Sequence, residues 1–292
     1  MLLPRFEYYE PSTLGEACRL LVDLGPQGKV LSGGTDLLVN MKKGLIGPSH
    51  LVSVHRIAEL EPLTAANGAL EIGGTVRAAR LARWEALPGW AQALAEGARS
   101  LGTPLVRNRA TVAGNVVTAR PAADLPPPLM ALGARARLVS PTGHREAPLD
   151  GFFVGPGQSR IRADEVLARL IVDSPPPWTG SAYIKLGVRR TLEIALVNVA
   201  AAITLEGRDG PIARARVVLG AVAPTPVRSP SAETSLVGER PGEALFAEAG
   251  KAAAKDARPI DDYRGSAQYR GWMVETLVRR ALTLAWQRAL DV

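Results

Sequence analysis

The sequence predicts an α+β protein of two domains, and three observations carry that expectation. Twenty-nine glycines and 23 prolines supply more turn punctuation than a helical bundle uses. Extended runs meeting at Asn67-Gly68, Pro141-Thr142-Gly143 and Arg208-Asp209-Gly210 read as hairpins, and they alternate with stretches of helical apolar period. The stretch SPPPW, Ser174 to Trp178, holds three successive prolines, which neither extend a helix nor enter a sheet interior. It marks a domain boundary. With 292 residues, 47% of them hydrophobic, the chain can bury a core on both sides of that boundary.

The elements follow in order. Pro11 to Leu24 reads as a helix, with Thr13 and Glu16 at capping-box spacing and an apolar face of Leu14, Ala17, Cys18 and Leu21. Lys29 to Leu31 is a short strand that enters a Gly33-Gly34 turn, and a helix with Leu37, Leu38 and Met41 on one side comes next. A second strand starts at His50 after a Gly-Pro break. This makes a small β-α-β-like lobe, residues 1–56. The second lobe, residues 57–175, opens on the Asn67-Gly68 hairpin. Helical stretches are expected at Val76 to Glu85 and Trp90 to Leu101, then a segment rich in turns and short β runs, ending in the hairpin around Pro141. In residues 178–292 the runs SAYIKLGV, LVNVAAAITLEG and IARARVVLGAV read as strands, and Gly242 to Lys255 and Ala267 to Leu290 as helices. They form a smaller antiparallel α+β domain.

Several function classes are disfavoured. The formal charge is +7, but the arginines are scattered rather than gathered into a basic stretch with aromatics, which argues against nucleic acid. A basic rim still suits an acidic partner or an anionic cofactor. One cysteine, Cys18, forms no internal disulfide and cannot ligate an iron–sulfur cluster. Its place in an apolar pattern makes it a core residue. His50, His55 and His144 lack metal-ligand spacing, and no Gly-x-Ser-x-Gly elbow is present, so neither a metal site nor a catalytic residue is assigned. No leader and no apolar run of membrane-spanning length are found, so a cytoplasmic location is expected.

The stretch SGGTD, Ser32 to Asp36, sets two glycines between a strand and a helix, a geometry that exposes backbone N–H groups to an anion. It matches neither the Rossmann nor the Walker fingerprint. A second stretch, TVAGNVV from Thr111 to Val117, again reads as a Gly-rich turn beside hydrogen-bonding side chains. One such turn from each lobe suits the two halves of a pyrophosphate.

The two turns, in this order, resemble those of the FAD-binding medium subunit of the molybdenum hydroxylases, the xanthine dehydrogenase and carbon monoxide dehydrogenase family. The likeness runs from KVLSGGTDLLVNMKKGLI through RNRATVAGNVVTARPAADLPPPLMAL and EVLARLIV to YIKLGVRRTLEIALVNVAAAI, nearly the whole chain. It implies a two-lobed FAD domain of the vanillyl-alcohol-oxidase (PCMH) type and a CO-dehydrogenase-flavoprotein-like C-terminal domain. By resemblance, Val30, Leu31, Ser32, Gly33, Gly34, Thr35, Asp36 and Leu37 hold the FAD diphosphate from one lobe. Thr111, Val112, Ala113, Gly114 and Asn115 hold it from the other. Asp124 matches a cofactor-contacting aspartate able to accept from ribityl or ribose hydroxyls. Leu167 matches an apolar contact, and Lys185 a lysine near the flavin, where a cation favours the reduced, anionic ring. Where some relatives stack an aromatic side chain on that ring, this sequence has Leu101 and Ile194, which cover a face without the π term.

The resemblance also implies partners: a large subunit carrying the molybdenum cofactor and a small one carrying two [2Fe-2S] clusters, in a dimer of heterotrimers. Electrons would pass from substrate through the clusters to FAD and on to NAD+, oxygen or a quinone. Two other readings stand beside this one, a free-standing FAD-dependent oxidase or dehydrogenase and a non-catalytic assembly or binding protein.

Overall fold

The computed structural model describes residues 2–189 and 192–291. Its first lobe is a three-stranded parallel sheet of β1 (Glu7–Tyr9), β2 (Gly28–Leu31) and β3 (His50–Ser53), in the order β1-β3-β2. The edge strand β1, three exposed or half-buried residues, had no sequence signal. Helix α1 (Leu14–Leu24) covers the sheet and buries Ala17, Cys18 and Leu21. Its capping box is shared: Thr13 Oγ1 accepts from Glu16 N at 3.2 Å, and Glu16 Oε2 accepts from Ser12 N at 2.8 Å. Helix α2 (Leu37–Lys42) follows β2 across the Gly33-Gly34 turn.

The second lobe is a five-stranded antiparallel sheet, ordered β4-β5-β10-β6-β7. It is built from the hairpins β4 (Leu63–Ala66) with β5 (Ala69–Gly73) and β6 (Arg135–Ser140) with β7 (Gly143–Pro148). Asn67 and Gly68 both have positive φ, as a type I′ hairpin turn requires. The small pair β8 (Phe153–Gly155) and β9 (Gln158–Ser159) precedes β10 (Val166–Asp173), which lies at the sheet centre. Its near-continuous apolar run is what burial on both faces demands. Helices α3 (Ala78–Ala82) and α4 (Gln92–Ser100) fall inside the expected helical stretches.

Between Thr103 and Ala131 the structure corrects the sequence. The expected turns and short β runs are three short helices: α5 (Pro104–Arg107), α6 (Val112–Val117) and α7 (Pro126–Ala131). Thr103 and Thr111 cap the first two with their hydroxyls, and prolines begin α5 and α7, where the missing N–H costs nothing. Valine-rich composition hid these starts, because helix propensity is easily overridden by a good cap.

Beyond the proline linker, β11 (Thr179–Leu186), β12 (Val197–Leu205), β13 (Ile212–Gly220) and β14 (Val227–Arg228) form an antiparallel sheet. Helices α8 (Pro230–Leu236), α9 (Glu243–Asp256) and α10 (Ala267–Leu290) complete the domain. The strand β14 and the helix α8, capped by Ser229, were not anticipated. All nine residues of β12 are buried. Val197, Val199, Ala201 and Ile203 pack with α8, α9 and α10, whereas Ala200 and Ala202 join the core of the second lobe. The alternation of side chains along a strand therefore glues the C-terminal sheet to the second lobe. Among the described residues no helix is long and apolar enough to cross a membrane.

Candidate functional site

A cleft of about 1600 Å³ runs between the two lobes and reaches the C-terminal domain. That exceeds the roughly 300–1,000 Å³ of ordinary small-molecule pockets and suits an extended ligand. The two Gly-rich segments meet in it. Ser32 Oγ donates to Thr111 Oγ1 at 3.1 Å, and Thr111 Oγ1 also accepts from Gly114 N at 3.1 Å as it caps α6. Gly33 faces the other lobe so closely that a Cβ would stand 2.3 Å from the Arg109 carbonyl oxygen. Its lack of a side chain therefore serves lobe closure. Gly34 has a φ of +72°, which places it in the left-handed region and turns the chain into α2.

Within the protein, the N–H groups of Gly33, Gly34, Thr35 and Asp36 on one segment and of Ala113 on the other have no acceptor among the described residues. All five residues line the cleft. Successive unpaired N–H groups facing a polar concavity form an anion nest. An uncharged backbone cradle of this kind fits the diphosphate of a dinucleotide, and with the cleft's length it accommodates FAD.

Most residues proposed from the sequence are brought to the wall: Val30, Ser32 to Leu37, Leu101, Thr111, Ala113, Gly114, Asn115, Asp124, Leu167 and Ile194. Three stand behind it. Leu31 packs under Gly34, and Val112 is wholly buried in the second-lobe core. Lys185, read as a cation beside the flavin, points its Nζ at Asp124, 3.0 Å from each carboxylate oxygen, and donates to the Ser100 carbonyl at 3.0 Å. Asp124 has a second partner within the chain, since Tyr183 donates its hydroxyl to Oδ1 at 2.7 Å. Burial pushes the Asp124 carboxyl up, and Lys185 and Tyr183 hold it back. Asn115 spends its Oδ1 on Leu125 N at 3.2 Å. Leu101 is buried in the wall, whereas Ile194 is half exposed at the C-terminal end. Leu167 starts a bulge in β10.

Sequence reasoning missed four cations of the cleft wall. Lys43, Arg120, Arg162 and Arg189 line the same cleft, from four separate segments. No local motif announces them, because only the fold converges them. Arg270, on α10, was missed as well. It is buried and ties the residue before β12 to the residue after β13, donating to the carbonyls of Leu196 at 2.8 Å and Ala221 at 3.2 Å, with Asp262 2.7 Å from its Nη2.

A parallel lobe and an antiparallel lobe that close on an extended nest-lined cleft, with an antiparallel domain behind, define a two-lobed dinucleotide-binding flavoprotein fold. Residues 4–175 match the family model of the FAD binding domain in molybdopterin dehydrogenase, and residues 182–285 that of the CO dehydrogenase flavoprotein C-terminal domain. The chain is 34% identical over 288 residues to the carbon monoxide dehydrogenase medium chain of Hydrogenophaga pseudoflava, with 99% of each chain covered. It is 30% identical to the xanthine dehydrogenase FAD-binding subunit of Escherichia coli O157:H7, with 95% of each covered. The solved carbon monoxide dehydrogenase of H. pseudoflava superposes with a TM-score of 0.93 at 34% identity over 99% of both chains. Quinoline 2-oxidoreductase of Pseudomonas putida 86 superposes with 0.91 at 28% identity, over 99% of this chain and 100% of the other. This chain belongs to the family of FAD-binding medium subunits of the molybdenum hydroxylases.

Proposed function

We propose that this chain is the electron outlet of a cytoplasmic heterotrimeric molybdenum hydroxylase, working beside a large subunit with the molybdenum cofactor and a small subunit with two [2Fe-2S] clusters. The observation that carries this reading is the pair of unpaired N–H segments meeting across one long cleft. Gly33, Gly34, Thr35 and Asp36 would hold one half of the FAD diphosphate, and Ala113 the other. Asp124 would accept from hydroxyls of the sugar or ribityl chain, and Leu101 and Ile194 would cover the ring and exclude water from it. The chemistry supplied by a bound FAD is acceptance of single electrons and donation of pairs, to NAD+, oxygen or a quinone. A dimer of heterotrimers is the proposed assembly, with domains at 1–175 and 178–292.

The test is a visible spectrum of the purified chain after incubation with FAD and gel filtration, followed by anaerobic reduction. Flavin bands that bleach with the complex's substrate only when both partner subunits are present support the reading. Bleaching of the isolated chain by a substrate of its own favours a free-standing oxidase or dehydrogenase. Absence of retained flavin under every condition removes the proposal.

A further inference from the structure

Asp124 is the sole carboxylate among the site residues derived from the second lobe, and it is 5% exposed. Burial of a carboxylate is costly unless its oxygens are satisfied. Two side chains of one strand do this: Tyr183 and Lys185 of β11 project from the same face, two residues apart, as strand periodicity requires. Tyr183 is 4% exposed, and its hydroxyl has no partner besides Asp124 Oδ1 among the described residues. Its backbone N–H donates to Glu96 Oε2 at 2.8 Å, and Glu96 is gripped by Arg288 through two contacts of 2.6 and 3.0 Å. Tyr183 is thus held at its backbone and at its hydroxyl.

Resting on the FAD reading above, we propose that Tyr183 is a positioning residue for the cofactor site: its hydroxyl locks the Asp124 carboxylate in the orientation that meets the cofactor's hydroxyl groups. Lys185 alone cannot set that orientation, because its Nζ is equidistant from the two oxygens. The groups packed around Asp124 leave few competitors. From α4 comes the Ser100 carbonyl, while Glu96 is turned to Tyr183 N and Arg288. From α6 the Asn115 Oδ1 accepts from Leu125 N, and from β12 the Asn198 Nδ2 donates to the Ala123 carbonyl at 3.4 Å. Arg120 lines the cleft on the same loop. Tyr183 holds the Asp124 carboxyl down against its burial, so removing the hydroxyl lets Asp124 take up a proton at a higher pH.

The test measures FAD affinity by quenching of flavin fluorescence from pH 5 to 8, for the full chain and for Tyr183→Phe. The variant is expected to bind roughly 10-fold more weakly at neutral pH, as for a lost hydrogen bond to a charged group. Its affinity should also fall off on acidification at a higher pH than in the wild type. In an Asp124→Asn background the same substitution should add little, because the two groups act as a pair. An unshifted pH midpoint, or additive effects in the double variant, overturns the proposal. A second readout avoids substitution at Tyr183: uniform 3-fluorotyrosine makes the phenol a stronger donor and should move the midpoint down. The other four tyrosines lie off the cleft wall. An unmoved midpoint here counts against the proposal too. Should the wild-type chain fail to bind FAD, the reading beneath the inference falls, whereas binding without these shifts removes the inference alone.

Discussion

At the scale of single residues, the cleft depends on groups too small to leave a strong signature. Gly33 is the sharpest case. In the sequence it reads as half of a turn that exposes backbone N–H groups to an anion, and the structure also uses the space of its missing side chain for the Arg109 carbonyl of the other lobe. Gly33→Ala is therefore expected to force the lobes apart. FAD retention after gel filtration should be lost, with the melting temperature lowered even without FAD. Thr111 has two duties, capping α6 and accepting from Ser32. Thr111→Val should cost about 1–2 kcal/mol in urea unfolding, as for a lost N-cap, and Thr111→Ser should restore most of it.

At the scale of elements, the start of β10 is held by a buried charge. Glu165, 4% exposed, receives Arg145 at 2.6 and 2.8 Å and the Arg162 N–H at 2.8 Å. Burial pushes its carboxyl up, but the hydrogen bonds from Arg145 and Arg162 outweigh this and leave it below the usual carboxylate range. A lowered value in the folded state stabilises the fold above the unfolded carboxylate's titration, near 4.3, and is lost as pH falls through the lower folded value. Arg145→Ala leaves the burial and removes the main compensation. Because Arg145 is one-third exposed, the loss at pH 7 should be about 1–2 kcal/mol, discounted for screening. The gap from wild type should narrow as pH falls below the unfolded carboxylate's titration and close only once it has passed the lower folded value of wild-type Glu165. Urea melts at pH 7 and in steps down through the acid range check both the size and the direction.

At the scale of the whole molecule, the linker that separates two domains in the sequence does not keep them apart, because the C-terminal sheet contributes to the second-lobe core as well as to its own. Tyr183, Ala200, Ala202 and Val218 share a cluster with Leu94, Leu125 and Leu129. Arg288 near the chain's end grips Glu96 of α4, and Gly180 lets α10 approach so closely that a Cβ would stand 2.1 Å from the Ala285 carbonyl. Thermal unfolding should therefore be one cooperative transition. Residues 178–292 expressed alone should expose that alanine-lined face and associate or fail to fold cooperatively, as judged by calorimetry and gel filtration.

The division between what was legible and what was not follows from the range of the forces involved. Local chemistry determined the elements written in caps, turns and periodicity: Thr13 at the head of α1, the Asn67-Gly68 hairpin, the three strands after the prolines, and α10 from Ala267 to Leu290. It also marked Ser32–Asp36 and Thr111–Asn115 as backbone cradles, since glycine beside small polar residues acts within a few positions. Only the tertiary structure decided that Thr103–Ala131 would coil into three helices, and that Gly33 would serve a neighbouring carbonyl. It alone matched the charge of Lys185 to Asp124 under the hold of Tyr183. The contacts around Asp124 join groups 59 to 85 residues apart in the chain. Burial and partner geometry act through space, and a linear pattern carries no record of which distant group will arrive.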